Sequence, residues 1–216
     1  FSLSDDMALR KIKLVIQYDG TCYHGWAAQP GMPTIQGTIC QAIEKLTGIP
    51  VEVQGSSRTD AGVHALGQVA AFTIDSPVPT ENLARALNNL LPDDIAILQT
   101  VEVPDTFDPI SDTQSKIYRY TIYTGPVRPV LQIRYCWHRP GSLDVAAMAK
   151  AAAVLVGTHD FKSFASAGDQ RLRSVRTILK CDACSEGEFI YFDVQADGFL
   201  YNMVRNIVGT LVEVGR

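Results

Sequence analysis

One carboxylate stands out because of the short polar segment that carries it. Asp60 lies in the run Arg58-Thr-Asp-Ala-Gly-Val-His64, between two apolar runs that read as strands. A carboxylate in a tight turn between strands projects into a cleft, where it can act as a nucleophile or a general base. An Asx turn, in which Asp60 only caps its own loop, explains the same residue. The spacing alone leaves both interpretations open.

The cysteines and histidines predict neither a metal centre nor a disulfide framework. Of five cysteines, only Cys181 and Cys184 have the spacing of a metal or redox pair. In an extended strand their Cα atoms would lie roughly 10 Å apart, beyond the limit of about 7 Å for a disulfide, so buried structural cysteines are expected. The four histidines show no ligand spacing, and no metal is predicted.

Charge is distributed unevenly along the chain. The formal net charge is -4, and the first 104 residues carry six Lys and Arg against eleven Asp and Glu. The remainder carries thirteen against twelve, which excludes a uniformly basic coat for nucleic acid. In one stretch of this half, residues 162–180, the only acidic residue is Asp169. The basic residues of this stretch are Lys162, Arg171, Arg173, Arg176 and Lys180. A solvated surface and a set of phosphate contacts both fit this stretch.

Hydrophobic periodicity predicts strands and helices in a repeating order. The first half reads β-α-β-β-α-β: strand 11–18, helix 34–46, strands 51–57 and 68–74, a helix from near Thr80 to Leu91, and strand 95–103. The second half reads β-α-β-β-α: strand 115–123, helix 142–156, strands 176–183 and 188–196, and helix 199–214. The chain stops where a last strand should follow, which favours a truncated sequence.

The predicted class is α+β, with the 46% apolar and 19% charged residues of a globular chain. Two ferredoxin-like halves, 7–104 and 105–216, are expected to form one antiparallel sheet with helices on one face and a binding cleft between the halves. Two independent domains on a tether are the alternative, although no Pro/Ser-rich linker lies near residue 105. No run is long enough to span a bilayer, and no signal core precedes an expected start at Met7. A cytoplasmic protein is predicted.

Several motifs together resemble the TruA-type tRNA pseudouridine synthases. They are Tyr18-Asp-Gly-Thr, His24-Gly-Trp26, Thr34-Ile-Gln36, Arg58-Thr-Asp-Ala-Gly-Val-His-Ala65, Lys116-Ile-Tyr-Arg-Tyr120, Gly157-Thr-His-Asp-Phe161 and Met203-Val-Arg-Asn-Ile-Val-Gly209. These motifs span nearly the whole chain in the order and approximate spacing of the family, and the motif around Asp60 is highly specific. The resemblance implies that the cleft binds RNA and that the chain isomerises uridine to pseudouridine.

The resemblance also implies roles for individual residues. Asp60 becomes the catalytic carboxylate, with Arg205 as its partner and Arg58 beside it in the catalytic set. Tyr118 is expected to stack on the target base. The other predicted substrate contacts are His64, Arg171, Arg173 and Arg176. From the residues alone, Tyr118 on a strand face also fits the core, and Arg205, off the apolar stripe of its helix, also fits solvent.

By resemblance, the substrate is the 3′ side of the tRNA anticodon stem-loop, positions 38 to 40, and the enzyme is a homodimer. The isomerisation requires no cofactor. Asp60 could attack C1′ of the sugar, attack C6 of the base or remove the 2′ proton, and a nearby guanidinium would keep it ionised. A non-catalytic RNA-binding module and a hydrolase of small nucleosides are the competing functional classes.

Overall fold

The structure is a computed structural model that describes residues 9–169 and 171–216. The expected start at Met7 lies outside the described residues. The chain divides into two compact units, the first ending at Thr113 and the second spanning Gln114–Arg216. The domain boundary expected after residue 104 stays a prediction.

The first unit has the element order that the periodicity predicts. Its elements are β1 (Arg10–Tyr18), α1 (Ile35–Thr47), β2 (Gln54–Gly55), β3 (Ala65–Ile74), α2 (Thr80–Asn88) and β4 (Ile95–Val103). The strands form an antiparallel sheet in the order β2-β3-β1-β4, as expected for a ferredoxin-like β-α-β-β-α-β arrangement. A three-residue 3-10 turn, Gly20–Cys22, follows β1 directly.

The core of the first unit forms where β1 meets the two helices. Alternate residues of β1 are buried, as the period-two pattern predicts: Ile12, Leu14, Ile16 and Tyr18. On α1 the buried residues recur at helical spacing, and they pack in the same cluster: Ile35, Ile39, Ala42 and Ile43. The buried end of β1 places Tyr18 beneath the loop that carries Asp60.

Two elements of the first unit are shorter than predicted. The predicted strand 51–57 is reduced to the two ladder residues of β2, and a Cβ on Gly55 would clash with the ring of Trp26. Helix α2 ends at Asn88 instead of Leu91. The Asn88 side chain bonds the backbone of Ile97 on both sides, accepting from its N–H at 2.7 Å and donating to its carbonyl at 2.9 Å. These bonds tie the helix end to β4.

The second unit contains every predicted element and two short strands more. Its elements are β5 (Lys116–Tyr123), β6 (Trp137–His138), α3 (Val145–Val154), β7 (Gly157–Asp160), β8 (Val175–Glu186), β9 (Phe189–Ala196) and α4 (Met203–Val214). Their sheet has the order β6-β5-β9-β8-β7. Strands β6 and β7 have only two and four residues, too few for periodicity to reveal.

The α+β class is confirmed, but the strand pairing needs two corrections. The described strands form two sheets, one in each unit, instead of the single continuous antiparallel sheet expected. The inner strands find both of their hydrogen-bonded neighbours within their own unit. The pairing is also not wholly antiparallel, because β6 lies parallel to β5 along the edge of the second sheet.

The cysteine prediction is only half right. Cys181 is buried, whereas Cys184 is exposed, because residues three apart on β8 point to opposite faces of the sheet. All five cysteines have free thiols. Within the described ranges, no helix combines the length and the apolar character that crossing a bilayer requires.

Candidate active site

The turn that carries Asp60 is closed by its own backbone. The N–H of Val63 donates to the carbonyl oxygen of Asp60 at 3.2 Å, and Gly62 adopts a φ of +74° that favours glycine. The Gly62 N–H donates to the carbonyl of Tyr23 at 3.3 Å. The Asp60 carboxylate is exposed and accepts no hydrogen bond from its own loop, so the Asx-turn interpretation is wrong. Within the first unit, the carboxylate oxygens of Asp60 can therefore contact a ligand.

Thr59 is fixed through both its backbone and its side chain. Its carbonyl accepts the N–H of Trp26 at 3.0 Å, and its hydroxyl lies 2.8 Å from the hydroxyl of Tyr18. Tyr18 and Trp26 are each only 2% exposed, and their ring centroids lie 6.2 Å apart. The residue before Asp60 is therefore held against the core by two aromatic residues from other motifs.

Two glycines allow the chain to approach the Asp60 loop closely. Gly25 has a φ of +87°, and a Cβ there would lie 2.5 Å from the carbonyl oxygen of Thr59. A Cβ on Gly20 would overlap the carbonyl oxygen of Val63. Both positions therefore require glycine, because a side chain would push the loop away from the segment that shapes it.

His64 anchors the other end of the loop. Its Nδ1 lies 2.9 Å from Oδ1 of Asp19 and 3.1 Å from the backbone nitrogen of Gly20. A protonated Nδ1 donates to Asp19, and an unprotonated one accepts from Gly20, so each state keeps the ring against the turn that follows β1. This structural contact adds a role that the sequence did not indicate. The substrate contact of His64 stays a prediction.

Gln36 holds the segment that contacts the loop. Its side-chain amide donates to the carbonyl of Val53 at 2.8 Å, and its side-chain oxygen accepts the N–H of Ala28 at 2.7 Å. Its backbone N–H donates to the carbonyl of Trp26 at 3.0 Å. Sequence reasoning missed this role, as well as those of Gly20 and Gly25. The signal was the occurrence of four motifs in one half of the chain. Residues of the first two contact the loop that the fourth carries, and Gln36 of the third holds Trp26.

Arg58 is exposed at the start of the loop. Within the first unit, its guanidinium forms no hydrogen bond or ion pair with a described residue. A guanidinium on a fixed loop is well suited to a phosphate or a base edge. Its place in the catalytic set stays a prediction.

In the second unit, Tyr118 lies at the edge of the core and not inside it. Its ring is half-buried and packs edge-on against Phe199, with centroids 5.0 Å apart. Tyr120, on the same face of β5, packs against the buried cluster, whereas Tyr118 does not belong to that cluster. The core interpretation therefore fits Tyr120 better, and the role of Tyr118 as a base platform stays a prediction.

Arg205 lies on the exposed side of α4. The buried residues of this helix form a separate stripe: Met203, Ile207, Val208, Leu211 and Val212. Helix α4 begins at Met203 and not at 199, because Asn202 adopts a left-handed conformation with a φ of +57°. The side-chain amide of Asn206 donates to the carbonyl of Phe164 at 2.8 Å, which ties the first turn of α4 to the loop before β8.

The three predicted phosphate-binding arginines differ in how freely they can bind a ligand. Arg171 pairs with Asp169 at 3.0 Å, and Arg173 is exposed. Arg176 donates from one nitrogen to two backbone carbonyls, that of Arg173 at 3.0 Å and that of Val175 at 2.7 Å. Part of the Arg176 guanidinium is therefore occupied in holding its own strand.

The motif Gly157-Thr-His-Asp-Phe161 has a structural role in the second unit. Phe161 is buried in the core at 1% exposure. The hydroxyl of Ser174 and the backbone N–H of Lys162 lower the pKa of Asp160, which accepts the Lys162 bond at 3.0 Å. The carboxylate caps the short turn that follows β7. Across residues 9–169 and 171–216, no three His, Cys, Asp or Glu side chains converge into a metal site.

Comparison with known proteins identifies relatives along most of the chain. A family model described as tRNA pseudouridine synthase matches residues 14–110 and 151–216. The tRNA pseudouridine synthase A of Moorella thermoacetica is 48% identical over 207 residues, covering 95% of this chain and 84% of the relative. The proteins of the same name from Acetivibrio thermocellus and Geotalea uraniireducens are 47% and 46% identical, each covering 96% of this chain and 85% of the relative.

Proposed function

Because this chain belongs to the tRNA pseudouridine synthase family, we propose that it acts on the anticodon stem-loop of tRNA, with Asp60 as the catalytic carboxylate and no cofactor. The family relationship establishes an isomerase that converts uridine in tRNA to pseudouridine. Positions 38 to 40 and the carboxylate mechanism rest on the motif around Asp60. The observation that carries the carboxylate mechanism is the exposed carboxylate of Asp60 on a turn held by the buried Tyr18 and Trp26, which belong to two other motifs.

The chemistry requires a fixed anion at the reacting uridine. The N1–C1′ bond breaks, the uracil turns, a C5–C1′ bond forms, the C5 proton is released and N1 takes up a proton. An ionised Asp60 can attack C1′, attack C6 or remove the 2′ proton, and each route requires the carboxylate to reach a single ribose or base. The contacts of Thr59 and Gly62 hold the turn in place before the substrate arrives, which removes a reorganisation cost from the reaction.

Arg205 is proposed to keep Asp60 ionised. Burial under a bound RNA would raise the pKa of a carboxylate, whereas a guanidinium within about 4–6 Å lowers it by roughly 1–3 units. Within the second unit, the Arg205 guanidinium has no carboxylate partner among the described residues, so its charge is available for this role. Arg58 completes the proposed catalytic set.

Tyr118 is proposed as the platform for the flipped base. A base in a stem must leave its stack before chemistry, and stacking on an aromatic ring returns about 1–3 kcal/mol. The half-buried ring, steadied edge-on by Phe199, supports this role. Contacts from His64, Arg171, Arg173 and the free part of Arg176 would hold the RNA backbone. A homodimer and a cytoplasmic location belong to the same proposal.

Replacing the carboxylate tests this function. We expect Asp60→Asn and Asp60→Ala to reduce tritium release from C5-labelled uridine in tRNA by about 10³-fold or more, because the reacting group is lost. Binding of tRNA should stay within about twofold, because phosphate contacts dominate affinity. Asp75→Asn removes an exposed carboxylate just after β3 and is the matched control, with unchanged release. Undiminished release by Asp60→Ala would contradict the role.

The same assay separates the competing classes. A non-catalytic RNA-binding module would bind tRNA without releasing tritium, and a nucleoside hydrolase would turn over free uridine. We expect release from tRNA and none from the free nucleoside. Chemical mapping of pseudouridine in the treated tRNA should place the product at positions 38 to 40.

A further inference from the structure

An open depression lies beside the start of α4 in the second unit. Its lining residues are Gly168, Asp169, Arg171 and Tyr201, and its volume is about 360 Å³. This volume is at the lower end of the range for small-ligand sites, about 300–1,000 Å³, and suits one nucleotide. Neither the catalytic carboxylate nor the proposed base platform forms part of its lining.

Asp169 holds the two sides of the depression, Arg171 and Tyr201, in place. Its side chain is only 4% exposed. One oxygen accepts the backbone N–H of Arg171 at 3.0 Å, and the other accepts the N–H of Tyr201 at 2.7 Å and a guanidinium N–H of Arg171 at 3.0 Å. The Tyr201 amide and then the Arg171 contacts lower the pKa of Asp169, so it is ionised at neutral pH. A buried carboxylate thus fixes a cation and an aromatic residue in one geometry.

A second cation, Lys116 on β5, lies close enough to Arg171 for the two positive charges to repel each other. Lys116 is half-buried at the first position of that strand. Burial and the positive charge of Arg171 lower the pKa of its ammonium group. In the described part of the second unit, no carboxylate pairs with Lys116, and the single charge of Asp169 is already shared by three donors. Two cations with so little compensation favour an anionic ligand, and a guanidinium fits phosphate in particular.

The ring of Tyr201 supplies an apolar wall. Tyr201 is 44% exposed, although its backbone is hydrogen-bonded on both sides. Its N–H is held by Asp169, and its carbonyl accepts the N–H of Ser166 at 3.0 Å. A fixed, exposed aromatic ring beside a guanidinium is the combination with which proteins hold single-stranded RNA.

We propose that this depression binds one nucleotide of the tRNA strand, with the phosphate between Lys116 and Arg171 and the base stacked on Tyr201. The assignment rests on the proposed function, because it takes tRNA as the ligand. It adds a subsite that acts on tRNA binding. Free inorganic phosphate shares the same anionic chemistry and is the alternative occupant that the experiment must distinguish.

The salt dependence of tRNA binding tests the phosphate contact. We expect Lys116→Gln/Arg171→Gln to lower the slope of log K against log salt by about 1, because one neutralised phosphate is lost. Tritium release at limiting tRNA should fall in parallel with the lost affinity, because both residues act on binding. Lys150→Gln, an exposed cation on α3, is the matched control and should leave the slope unchanged. Thermal unfolding of each variant, compared with the wild type, shows whether the fold is retained.

The stacking contact is tested by a second pair of variants. Tyr201→Ala should weaken tRNA binding by about 5- to 150-fold at constant salt slope, and Tyr201→Phe should bind like the wild type. Equal binding by the two variants, or a wild-type slope in the double variant, would overturn the subsite. A third outcome is that inorganic phosphate binds the wild type and not the double variant, while the salt dependence of tRNA binding is the same in both. The depression would then be a site for free phosphate and not for tRNA.

Binding and turnover are read separately, so the two proposals fail in different ways. If tRNA binding depends on Lys116, Arg171 and Tyr201 as expected but Asp60→Ala keeps full tritium release, the proposed subsite stands and the proposed mechanism is wrong. If tritium release depends on Asp60 but tRNA binding is unchanged by the variants of Lys116, Arg171 and Tyr201, the proposed mechanism stands and the proposed subsite is wrong.

Discussion

A Cβ atom on Gly25 would lie 2.5 Å from the carbonyl oxygen of Thr59, so the two backbones are packed against each other one residue before Asp60. The same Thr59 carbonyl accepts the N–H of Trp26 at 3.0 Å. The position of the carboxylate is therefore set by a segment that precedes it by more than thirty residues. Changes in that segment should affect catalysis even though they touch no substrate.

Gly25→Ala tests this relationship. We expect it to lower kcat by about 100-fold, because a displacement of the loop by about 1 Å removes the reacting geometry. It should also destabilise the fold by more than about 1 kcal/mol, since the positive φ is unfavourable for alanine. Tritium release and urea unfolding measure the two effects.

Gly31→Ala is the matched control for Gly25. Gly31 also has a positive φ, +72°, but a Cβ there would meet nothing within 4 Å. It should share the conformational cost and leave kcat nearly unchanged. Equal losses of kcat in both variants would show that backbone strain, and not contact with Thr59, controls the loop.

The hydroxyl pair of Tyr18 and Thr59 is a second positioning contact, with the oxygens 2.8 Å apart. Tyr18→Phe and Thr59→Val should each lower kcat by about 2- to 12-fold, the equivalent of 0.5–1.5 kcal/mol for one hydrogen bond. If the contact acts as a unit, the double variant should be no worse than either single variant. Thr73→Val, at an exposed position on β3, is the control. Additive losses would indicate that the two hydroxyls act separately.

The elements that support the site could be predicted from the sequence because their signals are local. The alternation along β1 and the helical spacing in α1 each reflect one buried face, and the structure confirms both. The α+β class followed from the order of such elements. The sequence also indicated Asp60, through a polar, glycine-containing run between two strands.

The contacts that hold Asp60 could not be predicted, because they are tertiary. Nothing local to Gly25 reveals that the carbonyl of Thr59 lies against it, and nothing local to Gln36 reveals its bond to Val53. Similarly, α2 stops at Asn88 because of a partner on β4, nine residues further along the chain. Such features depend on which segments meet, which periodicity does not encode.

Tyr118 should tolerate loss of its hydroxyl and not loss of its ring. We expect Tyr118→Phe to bind tRNA within about twofold of the wild type, and Tyr118→Ala to bind about 5- to 150-fold more weakly, because the stacking surface is removed. Filter binding at fixed salt measures the difference. Because Tyr118 lies outside the buried cluster, Tyr118→Ala should remain folded in thermal unfolding. Equal affinities for the two variants would argue against the base platform.

Arg119 and Asp193 form a two-bond pair across β5 and β9, with both nitrogen-to-oxygen distances at 2.7 Å. The Arg119 hydrogen bonds lower the pKa of Asp193 from its ordinary value of 3.8, although partial burial opposes the shift. A lowered pKa in the folded state means that this contribution to stability is complete above about pH 5. It is lost as the pH falls below 3.8 and through the folded-state pKa.

Asp193→Asn should therefore be less stable than the wild type at pH 7 and nearly equal to it at pH 2. We expect a difference of about 1 kcal/mol at pH 7, kept modest because the Arg119 side chain is exposed and solvent screens the pair. Urea unfolding across this pH range measures it. Glu213→Gln removes an exposed pair with Arg216 at 2.9 Å and should cost less than about 0.5 kcal/mol. A difference for Asp193→Asn that persists at pH 2 would mean that packing, and not the charge, stabilises this part of the sheet.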